Sequence, residues 1–313
     1  MSLPEIKKGV TVIIPTYRRH EALTACVRSI LIGKSQPDEI IVVGRRGDGE
    51  TEQSVSHLLE SPMGCTHLRS AWVTIPGHIP PIEAGLSAAS REIVAIVDDD
   101  VTVRADWLGQ LISNFSDPSV GVVGGRVIVP GMPLPKLKGQ PGQIAWYGKA
   151  WGNVASMDGS GPVRVDSVME CNWAWRRDLL SSVFLDPVLN FDDASMYGVD
   201  LCLQAKRKGY QVIYEPRAVV DHHIAPRAPE LDRADRPRRV FSYCRNYTYI
   251  MLKNLSAWRR PIFLGWTFLV GERQAWGVAA LLVDTLTHGL RVRRNVVSAF
   301  RAKVEGIRLW LHS

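Results

Sequence analysis

Residues 93–100 read Ile-Val-Ala-Ile-Val-Asp-Asp-Asp, a short apolar run that ends in three adjacent carboxylates. A run of this length and composition predicts a buried strand, and ligands of open parallel α/β sheets bind beyond the carboxyl ends of strands. Three neighbouring carboxylates repel one another unless a cation offsets their charge, and Mg²⁺ and Mn²⁺ prefer such oxygen ligands. The run therefore predicts a metal–phosphate site at a strand end. The alternative is an acidic turn that caps the next helix.

The sequence on both sides alternates between strand-like and helical patterns. Strands are predicted at 10–14, 39–43, 68–75, 93–97, 120–129, 211–214 and 218–220, and helices at 20–32, 51–60, 82–89, 106–115 and 198–208. Ordered structure is also predicted at 165–175. Residues 130–162 are rich in Gly and Pro and predict a long loop. Apolar strands that alternate with amphipathic helices indicate βαβ units and a mostly parallel sheet.

Charge divides the chain into two parts. Of the 313 residues 46% are hydrophobic and 22% charged, which excludes collagen-like, disulfide-stapled and disordered proteins. Residues 1–225 carry a net charge of −3 and residues 226–313 a net charge of +10. The basic last third predicts a partner that carries phosphate, either nucleic acid or an anionic membrane.

The last third combines tryptophans with arginines. They are Trp258, Trp266, Trp276 and Trp310 with Arg259, Arg260, Arg291, Arg293 and Arg294. Charged residues interrupt its apolar runs before they reach the length of a membrane span. The mixture predicts helices that lie in the interface of an anionic membrane; the alternative is a helical cap on the core with a solvated basic face. No nucleic-acid reader module is recognisable, so no nucleic-acid partner is expected.

The cysteines and the N-terminus bear on location. Five scattered cysteines without a Cys-x-x-Cys pair favour a reducing compartment, and no apolar leader precedes a cleavage site. We therefore expect a cytoplasmic protein, peripheral on the inner face of the cell membrane.

Several segments, in order, resemble the GT-A glycosyltransferases of family 2. They are Val12–Arg19, Ile40–Val43, Val94–Asp100 with its DxD motif, Asp106–Leu108, Val123–Arg126, Glu170–Arg177, Val199–Tyr210 and Val220–His222. The resemblance covers about residues 10–225 and rests on the order and spacing of these segments. It implies an inverting, metal-dependent transfer of a sugar from a UDP, GDP or dTDP donor to a lipid-linked, polysaccharide or glycan hydroxyl.

The resemblance also implies roles for individual residues. Pro15, Thr16, Tyr17 and Arg19 would frame the base and phosphates of the nucleotide-sugar, Asp98 or Asp99 would contact the ribose, Asp48 would read the base, and Asp100 and His222 would hold Mn²⁺ or Mg²⁺. On the acceptor side the matching segment contains Asn172, Trp173 and Trp175. The two tryptophans alternate on a strand, so their rings would either stack on sugar or pack in the core.

The position of the catalytic base departs from the family pattern. The helix that resembles the family's Glu-Asp-x-Asp-Leu segment reads Tyr-Gly-Val-Asp-Leu at 197–201, which places Gly198 where the base belongs. A glycine accepts no proton, so Asp200 and Asp193 are the candidate bases. For Asp200 the alternative is an acid that stabilises a helix N-terminus; for Asp193 it is a solvated turn.

The sequence thus predicts a GT-A domain at 1–225 and a basic amphipathic helical extension at 226–313. The second hypothesis is a catalytically impaired relative that binds sugar or nucleotide as an assembly subunit, because Gly198 occupies the base position.

Overall fold

The computed structural model describes residues 7–60, 64–134, 136, 139–152, 154–159, 161–180, 182–225, 236–272, 275–279, 281–282 and 293–313. The chain forms two compact units. The N-terminal unit comprises the described parts of Met1–Gln143, Gly152–Leu185 and Leu201–Ala228, and the C-terminal unit those of Ile144–Trp151, Asp186–Asp200 and Pro229–Ser313. The C-terminal unit thus contains two earlier segments that the sequence pattern assigned to the first domain.

The N-terminal unit alternates strands and helices as the periodicity predicts. Its elements are β1 (Lys7–Pro15), α1 (His20–Leu31), β2 (Glu39–Arg45), α2 (Gly49–Glu60), β3 (His67–Val73), α3 (Ile79–Ala88), β4 (Arg91–Val97), β5 (Val101–Val103), α4 (Trp107–Ser113), β6 (Val120–Ile128), β7 (Val163–Val165), β8 (Asn172–Arg176), α5 (Arg177–Leu180), the helix α6 (Tyr197–Arg207), which begins in the C-terminal unit, and β9 (Gln211–His222). The apolar faces of β1, β2 and β4 are buried in the core, because helices cover the sheet.

The strands form one sheet in the order β3-β2-β1-β4-β8-β6-β9-β5, and β7 also pairs with β9. Strands β3, β2, β1 and β4 are parallel neighbours. Strand β8 lies antiparallel between β4 and β6, and β6 is parallel to β9. The predicted α/β fold with a mostly parallel sheet is confirmed.

One strand prediction needs correction. The segment 165–175, predicted to be ordered, contains the end of β7 at Val165 and most of β8, which begins at Asn172. The two pieces predicted at 211–214 and 218–220, however, form the single strand β9. Its register against β6 shifts between Glu215 and Val219. Pro216 lies in this irregularity, because a residue without an N–H is tolerated at a bulge.

The C-terminal unit is mainly helical. It contains α7 (Arg236–Asn254), α8 (Arg259–Leu269), β10 (Gly271–Glu272), β11 (Ala275–Trp276) and α9 (Arg293–Leu311). The antiparallel pair of β10 and β11 is not predicted by the sequence pattern. Within the described residues, no helix has both the length and the apolar character required to cross a membrane. Arg291 and the side chains of Arg293 and Arg294 lie outside the described residues.

Helices α7 and α9 pack closely. A Cβ at Gly306 of α9 would lie 2.6 Å from the Arg245 carbonyl oxygen, so this glycine allows the close approach. Lys303 is fully buried on the same helix. Its Nζ donates to the carbonyl oxygens of Thr267 and Trp276 at 2.5 and 2.7 Å. One face of α9 is therefore held firmly within the C-terminal unit.

Candidate active site

Strand register brings the acidic triplet and His222 to one edge of the sheet. Strands β1 and β4 are parallel, with Ile13 opposite Ile96, so the loops after Pro15 and Val97 emerge at the same edge. Strand β5 begins directly after Asp100 and pairs antiparallel with the end of β9, where Val101 lies opposite His222. The histidine therefore lies beside the triplet, although 122 positions separate it from Asp100.

Two side chains of the loop after β1 contact the triplet. The Thr16 hydroxyl donates to Asp99 Oδ2 at 2.7 Å. Arg19 Nη1 lies 2.8 Å from Asp99 Oδ1 and 2.7 Å from Asp100 Oδ2. The arginine compensates part of the charge of the carboxylates, and the threonine fixes the Asp99 rotamer. The structure thus brings together Thr16, Arg19, Asp99 and Asp100, which the resemblance assigns to one site.

The carboxylates of the triplet differ in their electrostatics. Burial raises the pKa of Asp99 to about 7, although Arg19 opposes the shift. Burial also disfavours the charged form of Asp100, but His222 and Arg19 outweigh it and lower its pKa to about 2. The pKa of His222 is raised despite its burial, because Asp100 stabilises the imidazolium. Asp100 is therefore held in its anionic form more firmly than Asp99.

Asp98, Asp100 and His222 could hold a metal ion. Each offers one ligand atom, and the three atoms lie within 4.8 Å of one another. His222 Nε2 lies 3.0 Å from Asp100 Oδ1. Apart from this contact, the buried Oδ1 has no hydrogen-bond partner among the described residues. Three ligand atoms that lie this close together, one of them otherwise unsatisfied, fit a divalent cation with mixed oxygen and nitrogen ligands.

Tyr17 and Asp48 lie beside the loop that follows β2. The Arg45 guanidinium stacks on the Tyr17 ring at 3.5 Å from the centroid. The Arg45 guanidinium has no hydrogen bond or ion pair with the side chains or backbone of the described residues, so its N–H groups are available to a ligand. The Asp48 carboxylate accepts from the Arg18 N–H at 2.6 Å and the Thr51 N–H at 3.3 Å. Asp48 therefore caps the start of α2 and positions the loop of Arg18.

Asn172, Trp173 and Trp175 lie inside the sheet. Asn172 Oδ1 accepts from Trp107 Nε1 at 2.7 Å, and its amide donates to the carbonyl oxygens of Arg126 and Ala218. Both tryptophans on β8 have no exposed surface, and their rings meet edge to face at 5.0 Å. The structure therefore favours the alternative in which the tryptophans pack in the core, because β8 lies in the interior of the sheet between β4 and β6.

Asp200 belongs to a buried charge network of the C-terminal unit. Its side chain has no exposed surface. Lys253 Nζ lies 2.8 Å from Asp200 Oδ2 and 2.8 Å from Asp186 Oδ2, and Asn254 donates to Asp200 Oδ1 at 2.7 Å. Both carboxylate oxygens of Asp200 are thus occupied. This burial contrasts with Asp193, the other candidate base.

Asp193 lies in a turn with unusual backbone angles. Asp192, Ala194 and Met196 have φ values of 55°, 50° and 68°, a left-handed conformation that is uncommon for residues with a side chain. The half-buried Asp193 carboxylate accepts hydrogen bonds from Ser195 and, at 3.0 Å, from Ser242. Alternating strained residues of this kind are typical of functional turns. Asp193 is also accessible, unlike Asp200.

A family model described as "Glycosyl transferase family 2" matches residues 11–184 of this chain, which is more than half of its length. The chain belongs to glycosyl transferase family 2. The matched segment contains the loop after β1, the acidic triplet and β8, and it ends before Asp193, Asp200 and His222. The family match thus includes the predicted donor-side residues other than His222 and neither of the candidate bases.

Curated relatives of the family are distant. The pre-mycofactocin glycosyltransferase of Mycobacterium tuberculosis is 31% identical over 140 residues, which cover 44% of this chain and 28% of that protein. The glucosyl-dolichyl phosphate glucuronosyltransferase of Haloferax volcanii is 23% identical over 253 residues, which cover 71% of this chain and 72% of that protein. The alignment with the mycobacterial relative thus spans less than a third of that protein's length.

Solved structures of other proteins share the fold. Staphylococcus aureus TarS 1-349, solved in complex with UDP-GlcNAc, superimposes with a TM-score of 0.63 at 15% identity over 96% of this chain and 82% of that one. The mannosyltransferase PcManGT from Pyrobaculum calidifontis, solved with GDP-Man and Mn²⁺, has a TM-score of 0.55 at 18% identity, over 99% of this chain and 89% of that one. At such identities the likeness establishes the GT-A fold alone.

Two residues of these sites escape sequence reasoning. Arg45, at the end of β2, gives no local signal of its stacking on Tyr17, because the two residues lie on different elements of the chain. Lys253 gives no local signal, because its partner Asp200 lies 53 residues away. Only the tertiary structure places them in contact.

Proposed function

We propose that this chain is an inverting, metal-dependent glycosyltransferase that moves a sugar from a UDP, GDP or dTDP donor to a hydroxyl of a lipid-linked, polysaccharide or glycan acceptor. The observation that carries the proposal is the convergence of Asp98, Asp100 and His222, with one buried oxygen otherwise unsatisfied, at the carboxyl ends of the strands. Family membership and the nucleotide-sugar complexes of TarS and PcManGT support the donor class.

The donor would bind along the strand ends of the N-terminal unit. Asp98, Asp100 and His222 would hold Mn²⁺ or Mg²⁺, which when bound supplies a Lewis acid that stabilises the departing diphosphate. Arg19 would contact the phosphates from its position beside Asp99 and Asp100. Asp98 or Asp99 would accept from the ribose hydroxyls. Pro15, Thr16 and Tyr17 would shape the pocket for the base, and Asp48 would support it through the loop of Arg18.

Asp193 is the proposed general base. In an in-line displacement the acceptor oxygen forms a bond to the anomeric carbon while the bond from that carbon to the diphosphate oxygen breaks. The hydroxyl proton passes to a carboxylate on the face opposite the leaving group. Asp200 is unsuited to this role because Lys253 and Asn254 occupy both of its oxygens in a fully buried position. Asp193 is only half-buried, and the residues on both sides of it, Asp192 and Ala194, have left-handed backbone angles.

The acceptor is proposed to be presented at a membrane. Residues 226–313, which form most of the C-terminal unit, carry the excess positive charge of the chain, and Trp258 is 63% exposed directly before α8. Such a unit would attach the enzyme peripherally to the anionic inner face of the cell membrane. A cytoplasmic location follows from this proposal, because nucleotide-sugar donors would be available there. Asn172 and the tryptophans of β8 would then support the acceptor side from the core.

Calorimetry tests the donor site. UDP, GDP and dTDP are titrated into the protein with Mn²⁺ and with a chelator, and into the variant Asp100→Asn. We expect one nucleotide to bind with Mn²⁺ only, and the variant to lose at least about 100-fold in affinity, because it lacks an anionic ligand of the metal. The matched control is Asp106→Asn, an exposed acid in the loop after β5 that should bind like the wild type. Equal binding with chelator, or by Asp100→Asn, would refute the proposal.

A catalytically impaired relative is the second candidate, because Gly198 stands at the usual position of the base. Metal-dependent nucleotide binding combined with no turnover on any offered acceptor would favour it. In that case the wild type would show no transferase activity, and Asp193→Asn would leave nucleotide binding unchanged.

A further inference from the structure

The exposed face of α9 has an unusual composition. Between Asn295 and Leu311, every side chain that the structure describes as exposed is either aliphatic or an arginine. These are Val297, Arg301, Val304, Arg308 and Leu311. We name them the α9 stripe. The exposed face of a surface helix is ordinarily polar, so a stripe of this composition indicates a surface that meets a partner.

The aliphatic members of the α9 stripe lie on one line. Val297, Val304 and Leu311 are spaced by seven residues and are 49%, 42% and 66% exposed. Arg301 and Arg308 follow four residues after each valine, so they flank the same line. Arg301 forms no ion pair with the described residues, and Arg308 lies 4.0 Å from Glu305, one turn away.

A groove runs beside the α9 stripe. It has a volume of about 420 Å³ and is lined by Phe241, Phe300, Arg301, Val304, Glu305 and Arg308. Its walls are aromatic and aliphatic, while the two arginines and Glu305 form its polar part. An apolar depression flanked by a net positive charge fits an acyl chain below an anionic headgroup.

We propose that the α9 stripe is the face by which the C-terminal unit docks on an anionic lipid bilayer, with the aliphatic side chains inserted at the boundary of headgroups and acyl chains and Arg301 and Arg308 on the lipid phosphates. This deepens the membrane association proposed above and rests on it. The opposite face of α9 supports docking, because Lys303 and Gly306 hold the helix rigidly against the unit.

Charge decides between a bilayer and a second copy of the chain. A heptad spacing of apolar residues also suits a coiled-coil partner. In a homodimer, however, the arginines of one stripe would face those of the other, and Glu305 is the one acid of the groove. Like charges brought together oppose association. An anionic surface satisfies both the apolar and the basic members of the stripe.

Vesicle co-sedimentation of the full chain tests the proposal, without nucleotide or acceptor. The probes are vesicles of phosphatidylcholine containing phosphatidylglycerol and vesicles of phosphatidylcholine alone. The test variant is Arg301→Glu/Arg308→Glu. Its matched control is Arg28→Glu/Lys208→Glu, which reverses two exposed cations of the N-terminal unit and has the same net charge. Val304→Asp tests the apolar part, at a position whose side chain is already exposed.

We expect the wild type and the control to bind the phosphatidylglycerol vesicles. Arg301→Glu/Arg308→Glu should bind at least about 30-fold more weakly, since each arginine near an anionic surface contributes about fivefold. Val304→Asp should also weaken binding. If the wild type binds and the double variant binds like its control, the α9 stripe is not the docking face. If the wild type binds neither vesicle, the membrane association itself fails. Sedimentation velocity without lipid gives a further refutation: a dimer that Val304→Asp dissociates would show that a second copy covers the stripe.

Discussion

The stability of the C-terminal unit should depend strongly on Lys253. Its ammonium lies 2.8 Å from both Asp186 and Asp200, whose side chains are 6% and 0% exposed. Lys253→Met keeps most of the side-chain volume and leaves two carboxylates without their cation. Removing one partner of a buried ion pair costs about 3–5 kcal/mol. Because the Lys253 side chain is itself 21% exposed, water can reach the site, and we expect the lower end: a decrease of about 3 kcal/mol in the free energy of unfolding at pH 7.

The pH dependence gives the prediction a second readout. Burial disfavours the charged form of Asp186, but Lys253 and Tyr249 outweigh it, so its pKa is lowered from the ordinary value of 3.8. A carboxyl whose pKa is lowered on folding stabilises the protein above its unfolded pKa and loses this contribution as the pH falls through the folded pKa. Lys253→Met removes the part of this contribution that comes from the lysine, while the hydrogen bond from Tyr249 remains. The difference between wild type and variant should therefore be constant from pH 7 to about pH 5 and narrow below about pH 4.

Urea unfolding followed by tryptophan fluorescence at several pH values measures both effects. The control is Lys208→Met, which removes an exposed lysine just after α6 and should change stability by less than about 0.5 kcal/mol. A cycle with Asp200→Asn and the double variant isolates the pair, and we expect a coupling of about 1–3 kcal/mol. If Lys253→Met had the same free energy of unfolding as the Lys208→Met control at every pH, the assignment of Asp200 to a structural network would be refuted.

Two further predictions concern the base and the buried lysine of α9. Asp193→Asn should lower kcat by about 10²–10⁴ while the donor KM is unchanged. Asp200→Asn should lower the stability of the protein but keep the kcat of each folded molecule. Steady-state kinetics on both variants test which carboxylate is the base, and the reverse pattern would assign that role to Asp200. Burial lowers the pKa of Lys303 to about 8 from its ordinary 10.5, so the unfolded chain binds more protons between these values. The stability of the wild type relative to Lys303→Met should therefore rise by about 2 kcal/mol between pH 8 and pH 10, measured by urea unfolding. A difference that does not change with pH would contradict this.

Local sequence patterns were sufficient to predict the strands in the parallel half of the sheet. Strands β1, β2 and β4 are continuous apolar runs, and α1 and α2 have helical periodicity, so each is specified by its own neighbours in the chain. The acidic triplet at the end of β4 follows from the same reasoning. The resemblance to the family added Thr16, Arg19 and His222 to this site, and the structure places all three beside the triplet or its partners.

Contacts between distant residues were beyond the local pattern. The sequence predicted a strand around Trp173 and Trp175 but left open whether their rings are buried, because this depends on the strands on each side. In the structure β8 pairs with β4 and β6, and both rings are enclosed. The pair of β10 and β11 is only two residues long in each strand, too short for a periodic signal.

The sequence by itself determined the fold class, the basic last third and the acidic strand end, since periodicity and composition are properties of neighbouring residues. Only the tertiary structure shows that Asp200 is fully buried and paired while Asp193 is half-buried, a difference that the local sequence does not contain. The cation that compensates the buried Asp200 is on Lys253 of α7, far from it in the chain. Likewise, the α9 stripe could be recognised only from the structure. Apolar residues occur on both sides of this helix, so the sequence does not show which of them face water, and the packing against α7 decides it.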